Sequence, residues 1–332
     1  MKATAKAKAH TNIALIKYWG KRNESLILPT NNSLSVTLDG FYTTTNVSFD
    51  EGLTHDTFYL NDEVVEGEQY HRVTQFLDLV RQLAGKPIHA QVRSINAVPT
   101  AAGFASSASG FAALAAASSR AIGLDLSDSE LSRLTRQGSG SACRSIFGGF
   151  AEWEKGEKED GSDSFAIQIA PKDHWDIRVA AVVLSSKMKK VSSRAGMRRT
   201  VETSPFFNGW IESIPSDLEA IKQGIANRDI EQVGAIAEAN CLKMHATTLG
   251  ASPPFTYWLD TTVTVMQTVQ QLREQGIPAY FTIDAGPNVK VLYLPEHEQL
   301  VQTTLREVPG VTDVKLSRVG QGITYLGDET IV

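Results

Sequence analysis

The sequence predicts two closely packed α/β or α+β domains, and three observations predict them. A length of 332 residues with 42% apolar side chains exceeds what a single core usually organises. Runs of period two, the strand signature, are interleaved with runs of helical spacing along the whole chain. From about residue 185 onward the texture changes to longer helical patterns, so the expected division is 1–185 and 186–332.

Taken in order, Ala3, Ala5, Ala7 and Ala9 alternate with polar residues and predict a strand. Ser33–Leu38 and Phe41–Phe49 read as further strands, with a turn at Asn61-Asp62. Val73, Phe76, Leu77, Val80 and Leu83 share a helical face that Gly85 terminates, and Ile88–Ile95 is β-like. A small-residue helix is expected from Ser106 to Ala121, and Ser127 with Glu130 forms a capping-box pattern for the next. Strands follow at Gly149–Trp153, Phe165–Ala170 and Ile177–Leu184, with Gly156–Asp163 as a hairpin turn. Ser204-Pro205 reads as N-cap and first helical residue, and Ser216 with Glu219 as another capping box. Ile230, Val233, Ile236, Ala237 and Met244 share a face closed by Gly250, and Thr261–Gln275 is helical. Strands Ala279–Asp284 and Val289–Leu294 flank the turn Ala285-Gly-Pro-Asn288. A helix at Glu296–Glu307 and strands at Asp313–Arg318 and Ile323–Leu326 complete the chain.

Net charge is −5, which disfavours bulk binding to nucleic acid or an anionic membrane. Three stretches nevertheless carry bases and no acid: Met1–Asn23, the segment between Glu130 and Glu152, and the segment between Asp176 and Glu202. If they converge, they suit a small, multiply charged anion such as a phosphate ester; if they do not, they are solvated faces. Two cysteines, Cys143 and Cys241, cannot supply a disulfide framework or a four-cysteine zinc site. No apolar run approaches the roughly 18 residues of a membrane span, and Ile13–Ile16 is too short for a secretory signal, so a cytoplasmic protein is expected.

Walker A, dinucleotide, zincin and nucleophile-elbow motifs are absent. Ser186-x-x-Lys189 matches only two fixed positions of the serine acyl-enzyme motif, whose partner motifs are missing. The most informative segment is Pro99-Thr-Ala-Ala-Gly103-Phe-Ala105-Ser106-Ser107-Ala-Ser109-Gly110. Glycine permits close backbone approach, and the helix that follows offers unpaired N–H groups to phosphate. Taken alone it reads equally well as a serine-capped helix start.

This segment matches the phosphate loop of the GHMP kinase superfamily, P-x-x-x-G-[LF]-x-S-S-A. The block His10-Thr-Asn12-Ile-Ala-Leu-Ile-Lys17-Tyr18-Trp19-Gly20-Lys21-Arg22 closely resembles the opening of mevalonate diphosphate decarboxylases. Asn31-Asn-Ser-Leu-Ser35, Ser94-Ile-Asn96 and Ser139-Gly-Ser141-Ala-Cys-Arg144-Ser145 resemble the same family, as do Lys190-Val-Ser192-Ser193-Arg194-Ala-Gly-Met197 and Thr282-Ile-Asp284-Ala-Gly-Pro-Asn-Val289. The matches keep family order from residue 5 to about 295; Phe104 replaces a common leucine and Ser109 a common alanine.

The resemblance implies a GHMP kinase fold: a ribosomal-protein-S5-like N-terminal domain, a ferredoxin-like C-terminal domain and an active site between them. It implies phosphorylation of the 3-hydroxyl of mevalonate 5-diphosphate by ATP with Mg²⁺, then loss of phosphate and CO₂ to give isopentenyl diphosphate. Asp284 would engage the hydroxyl with Lys17 nearby, Arg144 would clamp the carboxylate, and Asn12 would bond the carboxylate or hydroxyl region. Tyr18, Lys21 and Arg194 would hold the diphosphate, with Ser139, Ser141, Ser192 and Ser193 adding donors. ATP would fall to Ser94, Asn96, Gly103, Ala105, Ser106, Ser107, Ser109 and Lys187, with Ser106 and Ser107 near the metal. A cytoplasmic homodimer is also implied. Each residue has a blander alternative: Asp284 a turn acceptor, Arg144 a salt bridge, Asn12 a cap, the lysines and serines solvated surface, Trp19 packing. Two other functions share the phosphate loop: a sister kinase acting on mevalonate or phosphomevalonate, and a catalytically silent regulator.

Overall fold

The computed structural model describes residues 3–97, 106–184 and 190–327. The alternating N-terminus grows into one long strand, β1 (Ala3–Ile16), because the apolar run Ile13–Ile16 continues it into the core. A two-stranded ribbon, β2 (Lys21–Asn23) and β3 (Leu28–Pro29), leads to β4 (Ser33–Phe49), which joins both expected strands and pairs with β1. Asn61-Asp62, both at positive φ (51° and 65°), turns the hairpin β5 (Thr57–Leu60) and β6 (Glu63–Val64). Helix α1 (Gly67–Ala84) ends on Gly85 in the left-handed conformation and precedes β7 (Ala90–Asn96).

Helix α2 (Ser106–Ile122) buries Ala108, Ala112, Ala113, Ala115, Ala116 and Ala117, so its small side chains let it lie close on the sheet. Helix α3 (Asp128–Gly138) carries the expected Ser127–Glu130 capping box. A 3₁₀ segment, Gly140–Ile146, then leads to the hairpin β8 (Phe150–Trp153) and β9 (Ala166–Ala170). The first sheet runs β14–β1–β4–β7–β5–β6, where β14 is Thr324–Leu326, and β8 and β9 branch from β4. Its only parallel ladder among the described residues joins β5 and β7.

The second sheet is four-stranded and antiparallel: β11 (Tyr280–Ile283), β12 (Val289–Tyr293), β10 (Arg178–Val183) and β13 (Asp313–Arg318). The sheets do not part at residue 185. Arg178–Val183 is an inner strand of the second sheet, and Thr324–Leu326 returns to the first; sheet pairing, not helical texture, sets the division.

Helices α4 (Ser193–Thr203), α5 (Phe207–Asn227), α6 (Ile230–Leu249), α7 (Asp260–Glu274) and α8 (Glu298–Glu307) belong to the later part. Two expected helix starts are corrected. Ser204 is the C-cap of α4, and Pro215-Ser216 lies inside α5. The stripe Phe207, Trp210, Ile214, Leu218, Ile221 and Ile225 is buried through the proline, and burying six large side chains outweighs the ~3 kcal/mol interior proline cost.

One core lies between the first sheet and α1–α3, another between the second sheet and α7–α8. The largest joins both parts: Ile13, Leu15 and Leu34 of the first sheet meet Trp210 and Ile221 of α5 and Val179 of β10. The two domains are therefore fused by a shared core, with the ends of β1 and β11 brought side by side. Among the described residues, no helix is long and apolar enough to cross a membrane.

Candidate active site

The junction of the two sheets opens a cleft of about 540 Å³. Of the expected residues, Asn12, Lys17, Tyr18, Lys21, Ser107, Ser139, Ser141, Arg144, Ser192, Ser193, Arg194 and Asp284 all line it. All three acid-free basic stretches thus send side chains to one place.

Lys17 follows the last residue of β1 and is fixed at both ends of its backbone. Its N–H donates to Asn240 Oδ1 at 2.9 Å, and its carbonyl accepts from Asn31 Nδ2 at 2.8 Å. Its ammonium donates to Asp284 Oδ1 at 2.7 Å and to the Ala14 carbonyl at 2.9 Å. Asp284 stands just past β11, and its other oxygen lies 3.3 Å from Lys290 Nζ of β12. Burial alone would raise the Asp284 pKa, but the two ammonium groups outweigh it and hold the carboxyl well below the usual carboxylate range. Asp284 is therefore an anion at neutral pH.

Arg144 comes from the 3₁₀ segment and is 2% exposed. It donates Nε to Ser35 Oγ at 2.9 Å, Nη2 to Asn12 Oδ1 at 3.2 Å, and Nη1 to Ser33 Oγ. Every hydrogen-bond partner it has among the described residues is neutral. Burial pushes its pKa down, opposed in part by Asp284. A buried guanidinium without a counter-charge is a vacant half of an ion pair. Asn12 spends its amide within the protein, accepting from Arg144 and donating to Ser145 Oγ at 2.8 Å and the Ser141 carbonyl at 2.9 Å. It orients the arginine rather than offering a free amide to the cleft.

The block Lys17–Lys21 is not helical; Gly20, at φ +112°, redirects the chain, and a Cβ there would meet Phe207 at 2.8 Å. Tyr18 packs edge-on against Trp153 at 4.7 Å, held there by Gly140, whose Cβ would stand 2.8 Å from Trp153 and 3.0 Å from Tyr18. The Tyr18 hydroxyl is buried with no hydrogen-bond partner among the described residues, and burial raises its pKa. Lys21 is half-buried, and its ammonium pairs with Glu24. Ser192 caps α4 by accepting from the Ala195 N–H at 3.2 Å, so the start of that helix, with exposed Arg194, faces the cleft. Trp19 is core packing, 3% exposed.

A smaller cavity of about 260 Å³ adjoins the cleft and is lined by Ser94, Asn96 and Ser107 with Phe58, Val92 and Phe111. Ser107 and Arg72 border both cavities. Ser109 is a correction: it is fully buried and hydrogen-bonds Thr43 Oγ1 at 2.8 Å, because its place on α2 turns it into the sheet. Ser106 begins α2, whereas Gly103, Ala105 and Lys187 lie outside the described residues, as does Ser186-x-x-Lys189.

Three participants escaped the sequence reading. Lys290 had a signal, being the one charged residue in the buried strand Val289–Tyr293. Glu24 and Arg72 had none, since a charge on a polar turn or helix face reads as solvated surface.

No group of three or more His, Cys, Asp or Glu that could hold a metal occurs among the described residues. Mg²⁺ bound chiefly by nucleotide phosphates and water asks the protein for little more than a hydroxyl, and that of Ser107 borders both cavities.

Solved structures place the architecture in the GHMP kinase class of two-domain folds. A mevalonate diphosphate decarboxylase from Staphylococcus aureus superposes with a TM-score of 0.94 at 47% identity, covering 98% of this chain and 99% of that one. The structure of MDDEF in complex with MVAPP, AMPPCP and magnesium gives 0.92 at 50% identity, with 98% and 99% coverage. The model of the diphosphomevalonate decarboxylase-like N-terminal domain matches residues 9–166, and that of the mevalonate 5-diphosphate decarboxylase C-terminal domain matches 179–322. The diphosphomevalonate decarboxylase of Ganoderma lucidum is 41% identical over 94% of this chain and 84% of its own. That of Saccharomyces cerevisiae is 41% identical over 89% and 79%. The chain belongs to the mevalonate diphosphate decarboxylase family.

Proposed function

We propose that the protein decarboxylates (R)-mevalonate 5-diphosphate with Mg·ATP, giving isopentenyl diphosphate, ADP, phosphate and CO₂. The observation that carries this reading is Arg144, a buried cation whose hydrogen-bond partners among the described residues are all neutral, in the same cleft as an anionic Asp284 held between two lysines. A substrate with one carboxylate and one hydroxyl to be phosphorylated meets both needs. A kinase substrate without a carboxylate would leave the Arg144 charge buried and unpaired, whereas mevalonate and phosphomevalonate carry the same carboxylate and are separated from this reading by the products formed.

On this reading Asp284 accepts the hydrogen bond of the 3-hydroxyl and takes its proton as the oxygen bonds to the γ-phosphorus and the bond to ADP breaks, while Lys17 stabilises the developing negative oxygen. Once that oxygen is a phosphate ester it can leave with the C–O electrons. The C–C bond to the carboxylate supplies the pair that forms the alkene, and CO₂ departs. Arg144 holds the carboxylate so that this bond lies in line with the leaving phosphate. The diphosphate falls to Tyr18, Arg194, Ser139, Ser141, Ser192, Ser193 and the start of α4, and to Lys21 once Glu24 gives way. The smaller cavity with Ser94 and Asn96 suits the nucleoside, and Ser107 and Arg72 suit its phosphates. The family resemblance also supports a homodimer, which light scattering would test, and a cytoplasmic location, which cell fractionation would test.

The test is incubation with Mg·ATP and mevalonate 5-diphosphate, with ADP, phosphate and CO₂ measured together. Equal amounts of all three are expected. ADP with a stable phosphorylated product and no CO₂ would replace this reading by a kinase.

A further inference from the structure

Lys290 is buried at the centre of the second sheet, 1% exposed. On β12 it stands opposite Thr282 of β11, so it projects from the same face as Asp284 two residues on. Its ammonium lies 3.3 Å from Asp284 Oδ2 and 3.3 Å from the Asn288 carbonyl, while Lys17 occupies Oδ1 at 2.7 Å. A structural ion pair needs one cation per carboxylate. Two buried lysines on one aspartate leave an excess positive charge, which burial disfavours and which folding alone does not recover.

We propose that Lys290 is a positioning residue for phosphoryl transfer: by holding Oδ2 it fixes the rotation of the Asp284 carboxylate and keeps it ionised toward the substrate hydroxyl. The inference rests on the decarboxylase reading, which product analysis of the unmodified enzyme tests separately. The surroundings leave few other candidates for this electrostatic work. Arg144 faces Asp284 from the 3₁₀ segment and acts at longer range. Of the α6 groups packed behind it, His245 is pushed down to about 3, chiefly by burial, and the Cys241 thiol is pushed up by burial, so both are neutral near pH 7. Burial lowers the pKa of Lys290 itself while Asp284 opposes the shift.

Lys290→Met leaves Lys17 and Asp284 as a neutral pair, so the variant is expected to fold. Lys290→Gln keeps a donor without the charge. For both, kcat should fall roughly 10- to 100-fold, as misplacing a reacting group does, with KM for either substrate within about twofold. With one cation gone, burial of the carboxylate is less opposed, so Asp284 protonates at higher pH. The acid limb of kcat should therefore move toward neutrality relative to the unmodified enzyme. An unmoved acid limb, an unchanged kcat with only a lower melting temperature, or variants that cannot fold would each overturn the proposal, because a merely structural lysine predicts those results.

Discussion

Arg144→Gln separates function from stability. In the free protein the guanidinium is buried against Ser33, Ser35 and Asn12 with no carboxylate paired to it among the described residues. Those bonds come from a charged donor, so losing them costs about 1.5–3 kcal/mol each. Removing an unpaired buried charge returns several kcal/mol, so the two effects offset and the free variant should melt within a few degrees of the parent. Turnover should respond very differently. Truncating one partner of a buried, hydrogen-bonded charge pair costs about 2–5 kcal/mol. At 1.4 kcal/mol per tenfold, kcat/KM should drop roughly 30- to 4,000-fold. The assay is single-turnover release of phosphate and CO₂, with thermal melts taken with and without mevalonate 5-diphosphate. The rise in melting temperature on adding substrate should shrink in the variant. Loss of more than about 3 kcal/mol from the free protein, with kcat/KM of the folded fraction nearly unchanged, would make Arg144 a structural residue and refute the argument.

Asp284→Asn should cut turnover by roughly 10²–10⁴-fold and also destabilise the free protein, because Lys17 and Lys290 lose their counter-charge. The parent's Asp284 pKa is depressed, so its stabilisation is present above the ordinary carboxylate pKa and lost as pH falls toward the folded value. Acid titrations of melting temperature should show that dependence in the parent and not in the variant. Tyr18→Phe removes a hydroxyl that has no partner among the described residues, so stability should hold while KM for the diphosphate substrate rises roughly tenfold or more, a charged hydrogen bond's worth; an unchanged KM would place the hydroxyl away from the ligand. Ser107→Ala should raise KM for Mg·ATP about two- to tenfold, one hydrogen bond, and leave the other substrate's KM alone. The reverse pattern would assign the start of α2 to the wrong ligand.

Most elements were legible because their signals are local. Alternation at Ala3–Ala9, the left-handed turn at Asn61-Asp62, the capping box at Ser127 and the stop at Gly85 each depend on a few neighbouring residues. The motifs also identified the family and most of the cleft, since Lys17, Arg144 and Asp284 stand in blocks specific enough to be recognised. The tertiary structure decided what depends on distant partners. Pro215 stays inside a helix because a buried apolar stripe runs past it, and strand Arg178–Val183 joins the second sheet because its hydrogen-bonding partners come more than a hundred residues later. Ser109 turns inward through its angular place on α2. That Asn12 serves Arg144, that Glu24 occupies Lys21, and that Lys290 reaches the second oxygen of Asp284 are facts of direction and distance between separate strands. A sequence orders residues along the chain and carries no record of which charges meet across a cleft.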